Sequence, residues 1–123
     1  MANPNINNVT SILGNLGQTN LSTTAATSLI SNAASSGTLV KVETVQVTNT
    51  TATAANFTLN TYSAAALGGT AFAFASTISI LPYTTVTIID KTNSIYLTEN
   101  TSMGATAGTA NALIVTAAWE VMS

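Results

Sequence analysis

From residue 23 onward, apolar and polar side chains alternate in short runs, the period of two that marks half-buried strands. Thr, Val, Ile and aromatic residues fill these runs, and they suit a pleated surface. Residues 24–30 predict a first strand and 31–37 a loop of small polar residues. Residues 38–49, TLVKVETVQVTN, predict the strongest long strand. Its apolar phase moves from even to odd positions between Val42 and Val45. A strand does this only through a bulge or through burial on both faces, and we expect a bulge near Glu43-Thr44. Residues 56–62 alternate with Phe57 and Leu59 on one face, and Gly68-Gly69 reads as a turn. Phe72 and Phe74 in 71–75, then Ile78 and Ile80 in 76–81, are expected to point inward. Pro82 has no N–H to donate and stops the ladder. Further strands are expected at 84–90 with Val86 and Ile88, at 94–98 with Ile95 and Leu97, and at 101–107 with Met103, Ala105 and Ala107. A last one, 111–122, sets Leu113, Val115, Ala117, Trp119 and Val121 on one face.

About seven to eight short strands with turn signals between them predict an all-β fold, a single antiparallel β-sandwich of Ig-like or jelly-roll type. A β-solenoid would need a repeat of fixed length, and none is present. Strand pairing is non-local, so the pattern leaves the strand order open. Residues 1–22 differ from the rest. They are rich in Asn, Ser, Thr and Gly, with Ile12, Leu13 and Leu16 as an apolar group. Gly14 and Gly17 make an isolated helix there unfavourable. This stretch is read as an extended N-terminal arm that becomes ordered against a neighbour, and 23–123 as the sandwich domain.

Composition narrows the function. The 123 residues contain no cysteine and no histidine, which removes thiolate and imidazole ligands, cysteine nucleophiles and disulfides. No cofactor or metal is expected. Charged residues make up 5% of the chain, against about 25% in a typical soluble domain. Two lysines, no arginine and a net charge of −2 cannot neutralise a phosphate backbone, so nucleic acid is a poor partner. The same count excludes a polybasic membrane patch, and no apolar run is long enough for a spanning helix. The start of the chain shows no basic segment followed by an apolar one, so synthesis in the cytoplasm is expected. A surface with so little charge has little protection against self-association. It reads as a surface that neighbours cover.

The chemical motifs are weak. Asp90, Glu99 and Glu120 have no spacing that forces a catalytic pair, so no enzyme is expected. Lys41 and Glu43 are placed to form a local pair of small value. The glycine segments 68–69 and 104–108 lack the Lys-Ser/Thr and the helix that a phosphate loop needs. Trp119 lies in an apolar row and reads as a core or contact residue. Tyr62 and Tyr96 fall on the opposite phase from Leu59 and Leu97 and are expected to face outward, while Tyr83 beside Pro82 belongs to a turn. Outward tyrosines are good contact residues, with much area at low entropic cost. The candidate interface set is therefore Ile12, Leu13, Leu16, Tyr62, Tyr83 and Tyr96.

Several elements also form a family pattern. They are a Val-rich strand ending in V-T-N-T (45–50), G-G-T (68–70), an apolar strand before a proline (78–82), D-K (90–91), Y-L-T-E (96–99) and a final strand from A-N-A to an aromatic and an acidic residue (111–120). Over residues 38–123 the chain resembles short tailed-phage virion structural proteins. The resemblance implies a β-sandwich on a bacteriophage capsid surface or in the neck and tail. It implies a decoration, or cement, protein that bridges subunits of the major capsid protein, commonly as a homotrimer. A neck, tail or fibre-adaptor component is the alternative. A receptor- or carbohydrate-binding module, with Tyr96 near Glu99, is a further one.

Overall fold

The computed structural model describes residues 5–123, and residues 1–4 lie outside the described part. Nine strands follow one another: β1 (Ile12–Asn20), β2 (Thr27–Asn32), β3 (Leu39–Asn49), β4 (Ala55–Ala64), β5 (Gly68–Ile80), β6 (Thr85–Ile89), β7 (Ile95–Leu97), β8 (Thr101–Ala107) and β9 (Leu113–Met122). They form two antiparallel sheets packed as a sandwich. One sheet has the order β1-β9-β3-β6, with the short β7 also paired to β3, and the other has the order β2-β8-β4-β5. The first two strands thus pair with the last two, across the full length of the sequence. This is a jelly-roll order, not an Ig-like one. The strand that was not expected is β1, a glycine-bearing stretch with little alternation, while the runs expected at 71–75 and 76–81 form the single strand β5.

The core lies between the sheets. Val42, Val45 and Val47 of β3, Phe57 and Leu59 of β4, Met103 and Ala105 of β8, and Leu113 of β9 are fully buried. Each large aliphatic or aromatic side chain so buried contributes about 1.5–3 kcal/mol. The phase change in β3 is real. The register to β9 shifts between Val42 and Thr44, which leaves Glu43 as the extra residue. Val40 and Val42 before it, and Val45 and Val47 after it, all reach the core. On β2 a similar shift falls between Ser28 and Ile30, opposite Gly104 and Met103.

Two buried asparagines tie the sheets together. Asn49, at the end of β3, donates to the carbonyl of Ile80 on the other sheet (3.0 Å) and to that of Thr53 (2.8 Å). Its oxygen accepts from the Thr51 N–H (2.9 Å) and hydroxyl (2.8 Å). Asn32, at the end of β2, mirrors it. It donates to the carbonyls of Leu97 and Thr38, both at 3.0 Å, and accepts from Ser36 (2.6 Å) and Thr38 (3.0 Å). Both amides are saturated, so their burial carries little of the desolvation cost of an unpaired polar group.

The stretch expected to be an arm joins the sheet of its own chain. Residues 12–20 pair with β9 along nine consecutive positions without a shift. Leu21 is fully buried, and its backbone bonds Leu113 (2.9 Å) and Asn111 (2.9 Å). An extended, unpaired backbone next to a free β9 edge has its hydrogen-bond partners within the same molecule, and the ladder forms there.

Candidate functional site

The surface, rather than a cleft lined with reactive groups, holds the features that stand out. Among the described residues no three Asp or Glu side chains are grouped to hold a metal ion. The acidic groups have structural partners instead. Lys41 Nζ lies 3.1 Å from Glu43 Oε1 on the bulge. This bond and the nearby charge of Glu43 raise the lysine pKa above its ordinary value, with smaller help from Tyr96 and Glu120, which flank Lys41 on β7 and β9. Asp90 accepts from the hydroxyl (2.6 Å) and N–H (2.8 Å) of Thr92 in the turn after β6, and these bonds hold its carboxyl below the usual range. No helix among the described residues is long and apolar enough to cross a membrane, which says nothing about strand barrels.

Sheet edges are the places where a strand protein can recruit a neighbour. Among the described residues, β2 and β5 border one sheet, while β1 borders the other opposite the short β6 and β7. β5 is broken by irregularities: its register to β4 shifts three times, and Thr77 has φ +49°. β2 carries its own shift. β6 has five residues and β7 three. Bulges and brevity are the usual devices that blunt an edge. β1 has neither, and no charged residue. Ile12, Leu13 and Leu16 on it are 59%, 62% and 66% exposed. The apolar group is thus presented outward, from a strand and not from a free arm.

A second feature is an open groove of about 410 Å³ between β5 and β7, at the mouth of the sandwich. Tyr62, Phe72, Phe74, Ile95, Tyr96 and Leu97 line it. Phe72 and Phe74 were expected inside. By register Phe72 does lie on the core side, opposite Thr61, which itself faces Met103. The short strands facing it leave Phe72 57% and Phe74 39% exposed. Burial therefore fails for both; phase holds for Phe72, while Phe74 is the extra residue at a register shift between β4 and β5.

The tyrosines divide. Tyr96 is 48% exposed beside buried Leu97, and Tyr83 is 72% exposed in its turn with φ +53°, both as expected. Tyr62 corrects the expectation: only 9% of it is accessible. The turn after β4 folds back over this part of the sheet. Its three successive N–H groups, from Ala65, Ala66 and Leu67, donate to Asn100 Oδ1, Ser31 Oγ and Ser102 Oγ at 3.1, 2.9 and 2.9 Å. Ala66 and Leu67 accept φ values of +55° and +61° to make this possible. Tyr62 and Leu67 then close over Gly104, where an added Cβ would lie 3.3 Å and 2.7 Å from them. No local alternation pattern carries that information, because three polar side chains distant in sequence, on β2, on β8 and in the turn before β8, hold the turn.

No protein-family model and no curated protein matches the chain. Among solved structures it is similar to a subunit of Bacillus endospore appendages, described as a novel family of disulfide-linked pili. The identity is 14%, the coverage 99% of this chain and 95% of that chain, and the TM-score 0.50. A second likeness, to infectious bursal disease virus Gx strain, has 13% identity over 89% of this chain and 33% of that one, with a TM-score of 0.35. At such identities the first likeness bears on the fold alone, and the second is too distant to carry an argument.

Proposed function

We propose that this chain is a non-enzymatic structural subunit that works by adhesion, packing against copies of itself and other proteins in a particle. The observation that carries the reading is the apolar edge strand: Ile12, Leu13 and Leu16 stand exposed on an unblunted, uncharged β1. A soluble monomer protects such an edge; a subunit presents it. The scarcity of charge over the remaining surface supports the same conclusion. The similar fold of a pilus subunit supports the reading. Without cysteine, this sequence offers no disulfide link of the kind named for those pili.

The finer assignment rests on the resemblance over residues 38–123. It is a decoration protein of a tailed-phage head that bridges subunits of the major capsid protein and stabilises the shell. Adhesion through many small neutral contacts, repeated over a symmetric shell, turns a modest affinity per copy into high occupancy. The test is the copy number of this protein in purified virus particles, by quantitative mass spectrometry against the major capsid protein. Near-equal numbers support decoration. A number lower by an order of magnitude moves the protein to the neck or tail, and absence from particles overturns the virion reading.

A further inference from the structure

We infer that β1 pairs with β1 of a second copy, antiparallel and across a two-fold axis at Gly14, so that the β1-β9-β3-β6 sheet continues from one molecule into the next. The inference rests on the structural-subunit reading and specifies its first contact. It starts from the ladder phase. Ser11 and Ser123 exchange both backbone hydrogen bonds (3.1 and 3.0 Å), and the N–H of Leu21 reaches Leu113 (2.9 Å). In an antiparallel pair such bonds fall on every second residue, so the odd positions of β1 serve β9. Ile12, Gly14, Leu16 and Gln18 then direct their N–H and C=O groups away from the sheet. This row of alternating donors and acceptors fits one kind of occupant, another extended backbone.

The side chains select which backbone. Even residues must meet even residues for their outward groups to bond. Setting Gly14 opposite Gly14 places Ile12 against Leu16 and Leu16 against Ile12 of the second copy. That gives two apolar pairs, on one face, around a pair of glycines. Other axes give less: at Asn15 or Leu13, Leu16 or Ile12 meets only Gly14, and at Leu16 or Ile12 a single apolar pair remains, that residue against its own copy. The β1 sequence ILGNLGQTN is uncharged, so self-pairing brings no like charges together. An added Cβ at Gly14 would meet nothing within 4 Å, so the position is open to a neighbour. The symmetry is two-fold, where the resemblance implied a trimer. A contact of this length is small among stable interfaces, so the dimer is expected to depend on concentration.

The experiment is sedimentation of the full chain over a range of concentrations, with the same series for Gly14→Pro and Leu16→Lys. The proline removes an outward N–H that β9 does not use. The lysine sets a charge against the partner's Ile12. The wild type is expected to approach the mass of a dimer, both variants to weaken dimerisation at least about tenfold, and all three to melt alike. Gly14→Cys, in a chain with no other cysteine, is expected to oxidise to a disulfide dimer, because residues opposite each other in such a pair lie about 5.5 Å apart at Cα. Gln18→Cys is expected not to. A wild type that stays monomeric, variants that dimerise like it, or cross-linking at Gln18 in place of Gly14 would overturn the inference. A monomer that is nonetheless abundant in particles would remove this contact and leave the proposed function standing. A dimer absent from particles would do the reverse.

Discussion

Single residues stabilise this protein through saturation and fit, since it has few charges to use. Asn49 spends all four of its hydrogen-bonding positions on the Thr51–Thr53 turn and on β5. Asn49→Ala is expected to cost about 2–3 kcal/mol, because the Ile80 carbonyl is buried and loses its partner. A urea denaturation midpoint checks this, and a loss below about 0.5 kcal/mol would mean that water replaces the amide. Gly104 makes a steric argument. A Cβ there would lie 3.0 Å from the Thr27 carbonyl and closer still to Leu67. Leu67 has room to turn, but the β2 backbone does not. Gly104→Ala should therefore destabilise by about 1–3 kcal/mol through overpacking, read in the same titration. The exposed charges add a weak pH dependence. Asp90 is held below its ordinary pKa, so its contribution is present above the unfolded carboxyl range and is lost as pH falls through the folded value. Lys41 is held above its ordinary pKa, so its contribution is present below the unfolded lysine range and is lost as pH rises through the folded value. Melting temperature should be flat between these limits and fall slightly at both ends. Asp90→Asn should remove its part of the acid fall and leave the alkaline one.

At the scale of elements, the legible features were those with a local cause. The β3 bulge followed from Val42 and Val45 needing the same side, and the structure places the extra residue at Glu43. Deleting Glu43 tests it. The strand would then run straight, with Val40 and Val42 turned out of the core and Lys41 turned in. The deletion is expected to abolish cooperative folding, while Glu43→Thr, which keeps the residue count, should change stability by less than about 1 kcal/mol. A folded deletion variant would mean that the register is set elsewhere. The features that were not legible had distant causes. Nothing near residues 12–20 announces a strand, because its partner is β9, about a hundred positions away in sequence. Leu21 is a core residue inside a segment whose composition reads as a terminus. Tyr62 obeys its phase and is covered all the same, by a turn that Ser31, Asn100 and Ser102 hold down. Of the candidate contact residues, the apolar group on β1 was visible as an uncovered cluster. The exposure of Phe72 and Phe74 was not, since it depends on how short β6 and β7 are.

At the scale of the whole molecule, the scarcity of charge predicts how this protein should bind anything. Interfaces steered by charge weaken steeply as salt rises, because screening acts over about 10 Å at ordinary ionic strength. Here the exposed apolar edge of β1 and the aromatic groove beside β5 contain no Asp, Glu, Lys or Arg. The attraction they offer comes from backbone hydrogen bonds and buried apolar surface, and neither is screened by monovalent salt. Apolar burial also weakens on cooling. Association of this chain, with itself or with a particle, is therefore expected to change less than about threefold between low and high sodium chloride, and to loosen when the sample is chilled. Sedimentation of the protein, or its occupancy on purified particles after washing at each salt concentration and temperature, measures both effects. Release by salt would show that the partner is recognised through the few charges on the outer face, Lys41, Glu43 and Glu120, and would move the contact from the strand edge to the face of the sheet.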